Sequence, residues 1–369
     1  MKSSWRLATI SGIKVSVHWT FFLLLLWVLF STYQQTKNFD QAGIMVLFIL
    51  AIFVCVVLHE FGHALMAKSF GIKTKSITLL PIGGIAQMEQ FPEKPSQELL
   101  IAFAGPAVNI VIAGIFYLVM FSMKLVPSVS QPISISGNNF LFYLFSSNIA
   151  LAIFNLIPAF PMDGGRVLRA ILSFSMNRDR ATGISAFVGQ LIAIAFVFLG
   201  LFYNPFLILI GLFVFFGARM EAEYVHSNFI LKAYKMKDVL LSKFYSLETN
   251  NTINDAVKIL LSVQAKDFLV IDHGNVKGTL SRDNIIKALT EKGGSASVGD
   301  AMNREFVSFK TEDKVDKVFS EMQKGRQSIF PVFNDGNLAG AVDTDNIAEF
   351  LLVKEARQIV EQRKENLQT

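Results

Sequence analysis

The chain has 369 residues, of which 52% are hydrophobic, and its mean hydropathy is +0.45. This composition excludes a single globular domain and is typical of a membrane protein with a soluble part attached. The single cysteine, Cys55, excludes an internal disulfide and a metal cage of thiolates. The net charge of +5 resides in basic residues that flank apolar runs. We therefore expect no direct contact with nucleic acid.

Six apolar segments are predicted to cross a membrane as helices. Five reach the length of roughly 17–25 residues that a bilayer core requires, and the sixth is short. They are residues 15–33, 44–70, 99–123, 140–157, 183–202 and 206–218. Residues 1–15 are short and basic and are expected to lack regular structure. Residues 77–90 contain two short apolar runs around a proline and a glycine pair, which predicts a β-hairpin or a re-entrant loop.

The basic residues predict the orientation of these spans. One face of the arrangement receives Lys2, Arg6, Lys14, Lys68, Lys73, Lys75, Lys94, Arg166, Arg169, Arg178, Arg180 and Arg219. The opposite face receives Lys37 and Lys124. The positive-inside rule therefore predicts a multi-pass protein of the cell membrane with both termini in the cytoplasm.

The second span carries the sequence HEFGH, residues 59–63. His59 and His63 are four residues apart, so both imidazoles project from one face of a helix. Together with Glu60 they form the pattern H-E-x-x-H, which supplies two nitrogen ligands for zinc and a carboxylate that accepts a proton from water. The alternative is a chance pentapeptide whose histidines hydrogen-bond a neighbour. Ionisable groups are costly in lipid, which favours the functional interpretation.

A third ligand is predicted in the segment of residues 155–166, NLIPAFPMDGGR, where two prolines and a glycine pair interrupt the helix. Irregular backbone at membrane depth is tolerated where it is buried in protein or lines a wet cavity. Asp163 lies at this interruption and is the residue type that completes a His-His-carboxylate site with an open position for water. Its alternative role is to cap a helix beginning at Arg166. The presence of HEFGH in another span favours the ligand.

These motifs resemble the site-2 protease family of intramembrane zinc metalloproteases, peptidase family M50. The resemblance rests on HEFGH, on GGIA in the following hairpin and on NLIPAFPMDGGRVLRA, and it covers the membrane half of the chain. It implies one Zn²⁺ per chain held by His59, His63 and Asp163, with Glu60 as the catalytic base. It also implies that Asn155 donates a hydrogen bond to the substrate or oxyanion. The chain lacks the PDZ insertion of one subgroup and is more similar to the six-span subgroup with C-terminal CBS domains.

The implied substrate is a transmembrane or membrane-inserted segment of another protein, cleaved in regulated intramembrane proteolysis. A helix of this kind must be unwound before its peptide bonds can be attacked. The segment 77–90 has two alternative roles. It offers a strand edge to the unwound substrate by β-augmentation, or it only packs over the site.

The cytoplasmic half contains an internal repeat, since residues 272–285 align with residues 334–347 at an offset of 62 residues. Each repeat is predicted as helix, strand, turn, strand and helix, and two repeats should pack as a pair because one cannot bury its own sheet. The repeat resembles a tandem CBS pair, or Bateman module, whose cleft often binds adenine nucleotides. A homo-oligomer formed through this module is also compatible with the sequence.

Nucleotide binding by the CBS pair is in doubt. The family's ribose-contacting pattern is Ser/Thr-x-x-Asp, whereas this chain has Ser281 with Asn284 in one repeat and Asp343 with Asn346 in the other. Ser281, Asn284 and Asn346 are the candidate nucleotide contacts, and Asp343 would repel a phosphate. A structural or dimerising pair is therefore an equal alternative to a ligand sensor.

The predicted fold is a polytopic α-helical membrane protein with about six transmembrane helices and a small β-hairpin, followed by a cytoplasmic α/β tandem CBS module. We expect a transmembrane zinc protease domain at residues 1–220, a linker at 221–235, CBS repeats at 236–292 and 293–353, and a charged tail helix at 354–369.

The predicted function is that of a zinc-dependent intramembrane endopeptidase gated by its CBS pair. The alternatives are a CBS-regulated transporter or metal-handling protein and an inactive scaffold. A transporter needs metal ligands but no base beside them, so Glu60 discriminates between the first two.

Overall fold

A computed structural model describes residues 4–81, 83–88, 92, 94–124, 139–241, 243–262, 266–322, 325 and 327–366 of the chain. It divides into two compact units, Met1–Glu223 and Tyr224–Thr369. The first unit contains β1 (Ser4–Ile10), β2 (Ile13–His18), α1 (Thr20–Thr36), α2 (Phe39–Ser69), β3 (Thr74–Leu80), β4 (Gly83–Met88), α3 (Pro95–Ser122), α4 (Phe140–Asn155), α5 (Asp163–Leu172) and α6 (Arg178–Phe202). Helix α7 (Phe206–Leu231) begins in the first unit and ends in the second.

A four-stranded sheet in the order β1-β2-β3-β4 lies in the first unit. Strands β2 and β3 are parallel, and the other two pairs are antiparallel. The hairpin predicted within residues 77–90 is present as β3 and β4, while residues 89 and 90 lie outside the described part of the chain. The expectation that residues 1–15 lack regular structure is wrong for those described. Ile13, Val15 and Val17 are all buried, and this alternation places them on the inner face of β2.

Among the described residues, three helices, α2, α3 and α6, are long and apolar enough to cross a membrane. The described part of the chain therefore does not confirm the predicted count of six spans. Helix α4 has 16 residues, and α1 begins at Thr20 because the preceding residues belong to β2. Helix α7 continues to Leu231, well beyond the predicted end of the sixth span, and includes most of the predicted linker.

Close backbone packing joins these helices at glycines. A Cβ atom on Gly62 of α2 would lie 2.7 Å from the carbonyl oxygen of Ala104 on α3, so the two helices pack with little separation. A Cβ atom on Gly164 would lie 2.2 Å from the carbonyl oxygen of Ile157. The glycine at position 164 therefore allows the start of α5 to pack directly against the backbone that follows α4.

The second unit contains two three-stranded sheets of the same topology. Their elements are β5 (Ser246–Leu247), α8 (Ile253–Ser262), β6 (Asp267–Asp272), β7 (Asn275–Ser281), α9 (Arg282–Lys292), β8 (Phe309–Lys310), α10 (Val315–Met322), β9 (Ile329–Asn334), β10 (Asn337–Asp343) and α11 (Thr344–Asn366). The sheets have the orders β5-β6-β7 and β10-β9-β8, each with one parallel and one antiparallel pair.

The repeat is also present in the turns of the two hairpins. His273-Gly274 and Asp335-Gly336 both have positive φ angles at both positions, which suits a tight turn between twisted strands. The predicted charged tail helix, residues 354–369, is helical as far as Asn366. It continues α11, since no glycine or proline interrupts the chain between Thr344 and Asn366, and residues 367–369 lie outside the described part.

Candidate metal centre

Helix α2 places His59 and His63 one turn apart on a buried face, where they are 6% and 3% exposed. The two Nε2 atoms are 3.1 Å apart and the rings meet edge to face. This arrangement follows directly from the four-residue spacing on a helix. The two imidazoles therefore direct nitrogen atoms to one point.

Asp163 reaches the same point from the first residue of α5. Its Oδ2 atom lies 3.1 Å from Nε2 of His59 and 3.1 Å from Nε2 of His63. The helix begins at Asp163 instead of at Arg166, and its N-cap residue is Met162. The alternative in which Asp163 caps a later helix is therefore wrong.

These three donors fit a metal ion. All three residues are buried, and their ligand atoms form a group able to hold an ion. A tetrahedral ion about 2.0–2.1 Å from each donor requires donors about 3.3 Å apart. The observed separations of 3.1 Å are close to that value. Two imidazoles and one carboxylate leave a fourth position for water or substrate.

The far sides of both imidazoles are held by residues of α3. Nδ1 of His63 donates to the carbonyl oxygen of Ile101 at 2.7 Å. Nδ1 of His59 bonds Oδ1 of Asn109, whose Nδ2 donates to Oδ1 of Asn148 at 2.8 Å. Since Nδ1 carries the proton in both rings, each Nε2 presents its lone pair to the metal position.

Sequence reasoning missed this supporting role of Asn109 and Asn148. Both are fully buried, and each lies within an apolar helix. An amide inside an apolar span was the available signal, because it needs partners that lipid cannot supply. Cys55 is buried, and its Sγ accepts from Asn148 at 3.4 Å without joining the three donors.

Two glycines bring backbone against the centre. A Cβ atom on Gly105 of α3 would lie 2.2 Å from Nε2 of His63 and 2.6 Å from Nε2 of His59. A Cβ atom on Gly84 of β4 would lie 2.7 Å from Cγ of Glu60 and 3.2 Å from its Oε1. Strand β4 therefore covers the half-buried side chain of Glu60, next to the metal donors in sequence.

Asn155 is the last residue of α4 and is half-buried. The imidazoles are instead held by the side chain of Asn109 and the carbonyl of Ile101. The structure thus places Asn155 at the start of the segment leading to Asp163, and the hydrogen bonds described for the three donors do not include it.

The second unit contains a separate cleft of about 620 Å³ between its two repeats. Ser281 and Asn284 line it, together with Thr279 and Ser328. Asn346 is not among the described residues that line this cleft.

The residues at the start of α9 and α11 also have helix-capping roles. The hydroxyl of Ser281 accepts from the backbone N–H of Asn284 at 3.2 Å, so it caps α9. Asp343 accepts from the backbone N–H of Asn346 at 2.7 Å in the same way. The aspartate in the second repeat is therefore a capping residue in place of serine.

Comparison with known proteins gives consistent matches over both halves of the chain. The model of peptidase family M50 matches residues 47–130 and 124–199, and the CBS domain model matches residues 298–353. A zinc metalloprotease of Methanocaldococcus jannaschii is 35% identical over 361 residues, covering 97% of this chain and 99% of that protein. Stage IV sporulation protein FB of Bacillus subtilis is 28% identical over 206 residues, covering 54% of this chain and 68% of that protein. The solved structure of the site-2 protease from Methanocaldococcus jannaschii is 39% identical, with a TM-score of 0.45, covering 59% of this chain and 95% of that one.

Proposed function

Since this chain belongs to peptidase family M50, the site-2 protease family, we propose that it is a zinc-dependent endopeptidase that cleaves membrane-inserted segments of proteins. The observation that carries the proposal is the meeting of one carboxylate oxygen of Asp163 with Nε2 of His59 and of His63, each at 3.1 Å. With Nδ1 carrying the proton in both rings, two imidazole lone pairs and a carboxylate oxygen face one another about 3.1 Å apart, and a shared cation would stabilise that arrangement. The ion would be zinc, one per chain.

The proposed chemistry assigns a separate task to each residue. When bound, zinc supplies Lewis acidity to the scissile carbonyl and lowers the pKa of water in the open position. Glu60 accepts the proton of the attacking water and returns it to the leaving amine. Asn155 would donate a hydrogen bond to the substrate or oxyanion. Asn109 and Ile101 keep both imidazoles in the tautomer that faces the ion.

Strand β4 supports a proposal for how the substrate is held. It is the last strand in the sheet order, so within the described residues its outer edge has no partner strand. The same strand covers Glu60 through Gly84. An unwound substrate segment added to this edge would lie beside the catalytic base and have its backbone groups satisfied.

Membrane placement follows the same reasoning. The three long apolar helices support a multi-pass membrane protein. The proposal that both termini lie in the cytoplasm needs an even number of spans, so it includes the shorter predicted spans, and the uneven distribution of basic residues supports the cytoplasmic side. A reporter domain that is active only in the cytoplasm should be active when it is fused to either terminus. A reporter that signals from the outer side would overturn this orientation.

The cleft of the second unit supports a regulatory role. Thr279 and Ser281 line it with polar groups. The residue that corresponds to Thr279 in the other repeat is Ala341, which packs against Leu269 and Ile329. We place an adenine nucleoside or nucleotide in this cleft as a gate of proteolysis, and a Thr279→Val variant should lose binding in equilibrium dialysis with ATP, AMP or adenosine. Retained nucleotide binding would remove the cleft from the proposal.

We also propose a homo-oligomer formed through the second unit, and mass measurement of the protein in detergent would test it.

The protease proposal is tested by zinc content and cleavage in three variants. Glu60→Gln should retain about one zinc per chain and lose cleavage of single-span substrates. Asp163→Ala should lose zinc as well. Glu223→Gln is the matched control, because it makes the same chemical change at an exposed ion pair with Arg219. A Glu60→Gln variant that still cleaves would refute the proposed base, and zinc retained by Asp163→Ala would refute the third ligand. Metal-loaded protein without any cleavage would favour the transporter or the scaffold.

A further inference from the structure

A buried ion cluster lies in the first unit, formed by side chains outside the three metal donors. Arg169 is 1% exposed and Glu98 is 5% exposed. Nε of Arg169 donates to Oε1 of Glu98 at 2.8 Å, and its Nη2 lies 2.5 Å from the same oxygen. Its Nη1 donates to Oε1 of Glu221 at 2.6 Å. The guanidinium also lies over the ring of Phe160, 4.9 Å from the ring centroid.

A cluster of this kind needs an explanation other than stability. Desolvating charged groups is expensive, and buried ion pairs can often be replaced by apolar residues without loss of stability. What such a cluster does provide is a defined geometry, because a guanidinium that bonds two carboxylates has few alternative positions. Its position in the fold therefore indicates which elements require that geometry.

Glu98 lies on α3 and Arg169 lies on α5, the two helices that complete the metal centre beside the imidazoles of α2. Glu98 is one turn before Ile101, whose carbonyl accepts from His63, and α3 also carries Gly105 and Asn109. Arg169 is on α5, whose first residue is Asp163. The ion pair therefore joins the helix that supports both imidazoles to the helix that carries the carboxylate.

Helix α5 depends on such an anchor. It has ten residues, and a helix of that length is marginal without tertiary contacts. Asp163 comes from its first turn, where a small rotation of the helix changes the position of the carboxylate. Glu221 on α7 bonds the other side of the guanidinium and limits that rotation.

We propose that Arg169 is a positioning residue of the metal centre, clamping α5 to α3 and α7 so that Asp163 meets the two imidazoles. The inference rests on the proposed function, since it assumes that the three donors share a metal ion. The described hydrogen bonds of Arg169 go to Glu98 and Glu221 and not to the three donors. Arg169 acts through the placement of α5.

The test compares metal affinity with folding stability in four variants, of which Arg169→Lys is the conservative one. Arg169→Met removes the charge, and the triple variant Glu98→Gln/Arg169→Met/Glu221→Gln also neutralises the two carboxylates. Arg219→Met is the control, because it breaks an exposed ion pair with Glu223. Each full-length protein is measured for Tm, for zinc affinity by chelator competition and for the visible spectrum of its Co²⁺ form.

Arg169→Met should lower Tm and weaken zinc binding about 10- to 100-fold, the range for losing support of a ligand. The triple variant should recover most of the Tm that Arg169→Met loses, because its two carboxylates no longer lie buried opposite a missing guanidinium. Arg178 also contacts Glu98, at 3.4 Å, but its side chain is 30% exposed and can be solvated when Glu98 is neutralised. Zinc binding should stay weak and the Co²⁺ spectrum altered. Arg219→Met should match wild type in all three measurements. Arg169→Lys, which keeps the charge but bonds one carboxylate at a time, should have intermediate affinity.

Other outcomes overturn the inference. If the triple variant recovers both Tm and zinc affinity, the cluster is only structural. If it fails to fold, Arg169→Lys decides, and wild-type zinc affinity in that variant refutes the clamp. Wild-type protein that binds no metal would instead overturn the proposed function, and this inference with it.

Discussion

Replacing Gly105 with alanine tests the close approach of α3 to the metal centre. The added methyl group would lie 2.2 Å from Nε2 of His63 and 2.6 Å from Nε2 of His59. Moving the nearer nitrogen from 2.2 Å to the 3.4 Å at which ordinary contact begins requires a displacement of about 1.2 Å. Metal–ligand bond lengths tolerate deviations of about 0.2 Å. We therefore expect Gly105→Ala to lose zinc and to lower cleavage at least about 100-fold, equivalent to about 2.7 kcal/mol of activation free energy.

The matched control is Gly114→Ala on the same helix. A Cβ atom on Gly114 has no neighbour within 4 Å, so alanine should be accepted there. Alanine is favoured over glycine in a helix by about 0.8–1 kcal/mol, and this control should be as stable as wild type or slightly more stable. Zinc content by mass spectrometry and cleavage of a single-span substrate are measured for both. Wild-type zinc content and activity in Gly105→Ala would show that α3 does not lie against the imidazoles as described.

Three further perturbations test other parts of the molecule. Asn109→Leu removes the acceptor of the His59 Nδ1 proton and should weaken zinc binding about 10- to 100-fold in chelator competition. Unchanged zinc affinity would contradict the supporting role of Asn109. Gly84→Val should displace Glu60 but not the three donors. Cleavage should therefore fall about 100-fold while zinc content stays at the wild-type level. Loss of both cleavage and zinc would show that β4 also supports the metal ligands. Burial raises the pKa of Asp267, and the carboxylates of Asp343, Asp345 and Asp283 raise it further, against a hydrogen bond with Ser328 that lowers it. A raised carboxyl pKa destabilises the folded state above that pKa, and the penalty disappears as the pH falls below the pKa of the unfolded chain. Asp267→Asn should therefore slow hydrogen exchange of the β6 amides at pH 7, with the difference from wild type vanishing at acidic pH, and equal exchange at both pH values would refute the assignment.

Local patterns in the chain were sufficient for several features. The four-residue spacing of His59 and His63 places both rings on one helix face whatever surrounds it, because the helical period alone sets that geometry. The two short apolar runs around Pro81 and the glycine pair predicted a β-hairpin or a re-entrant loop, and the hairpin is present as β3 and β4. The offset of 62 residues predicted two repeats of the same topology, and the two sheets of the second unit share one topology.

Features that depend on distant segments were beyond the sequence. The N-terminal hairpin was missed because β2 gains its stability from parallel pairing with β3 and from packing with Phe61, neither of which is local. The six-span count was not confirmed, since hydropathy does not reveal that residues 15–18 join a sheet. Asn346 was grouped with Ser281 and Asn284 by motif, yet only the latter two line the described cleft.

The sequence by itself predicted the three donors and the proposed base, because a ligand's chemistry belongs to its side chain and HEFGH and NLIPAFPMDGG are continuous motifs. The tertiary structure decided what holds them in place. Asn109, Gly105, Glu98 and Arg169 act through contacts between helices far apart in the chain, and a contact of this kind leaves no periodic pattern in either segment. The donors can be recognised one residue at a time, whereas the positions of their supports follow from how three helices pack.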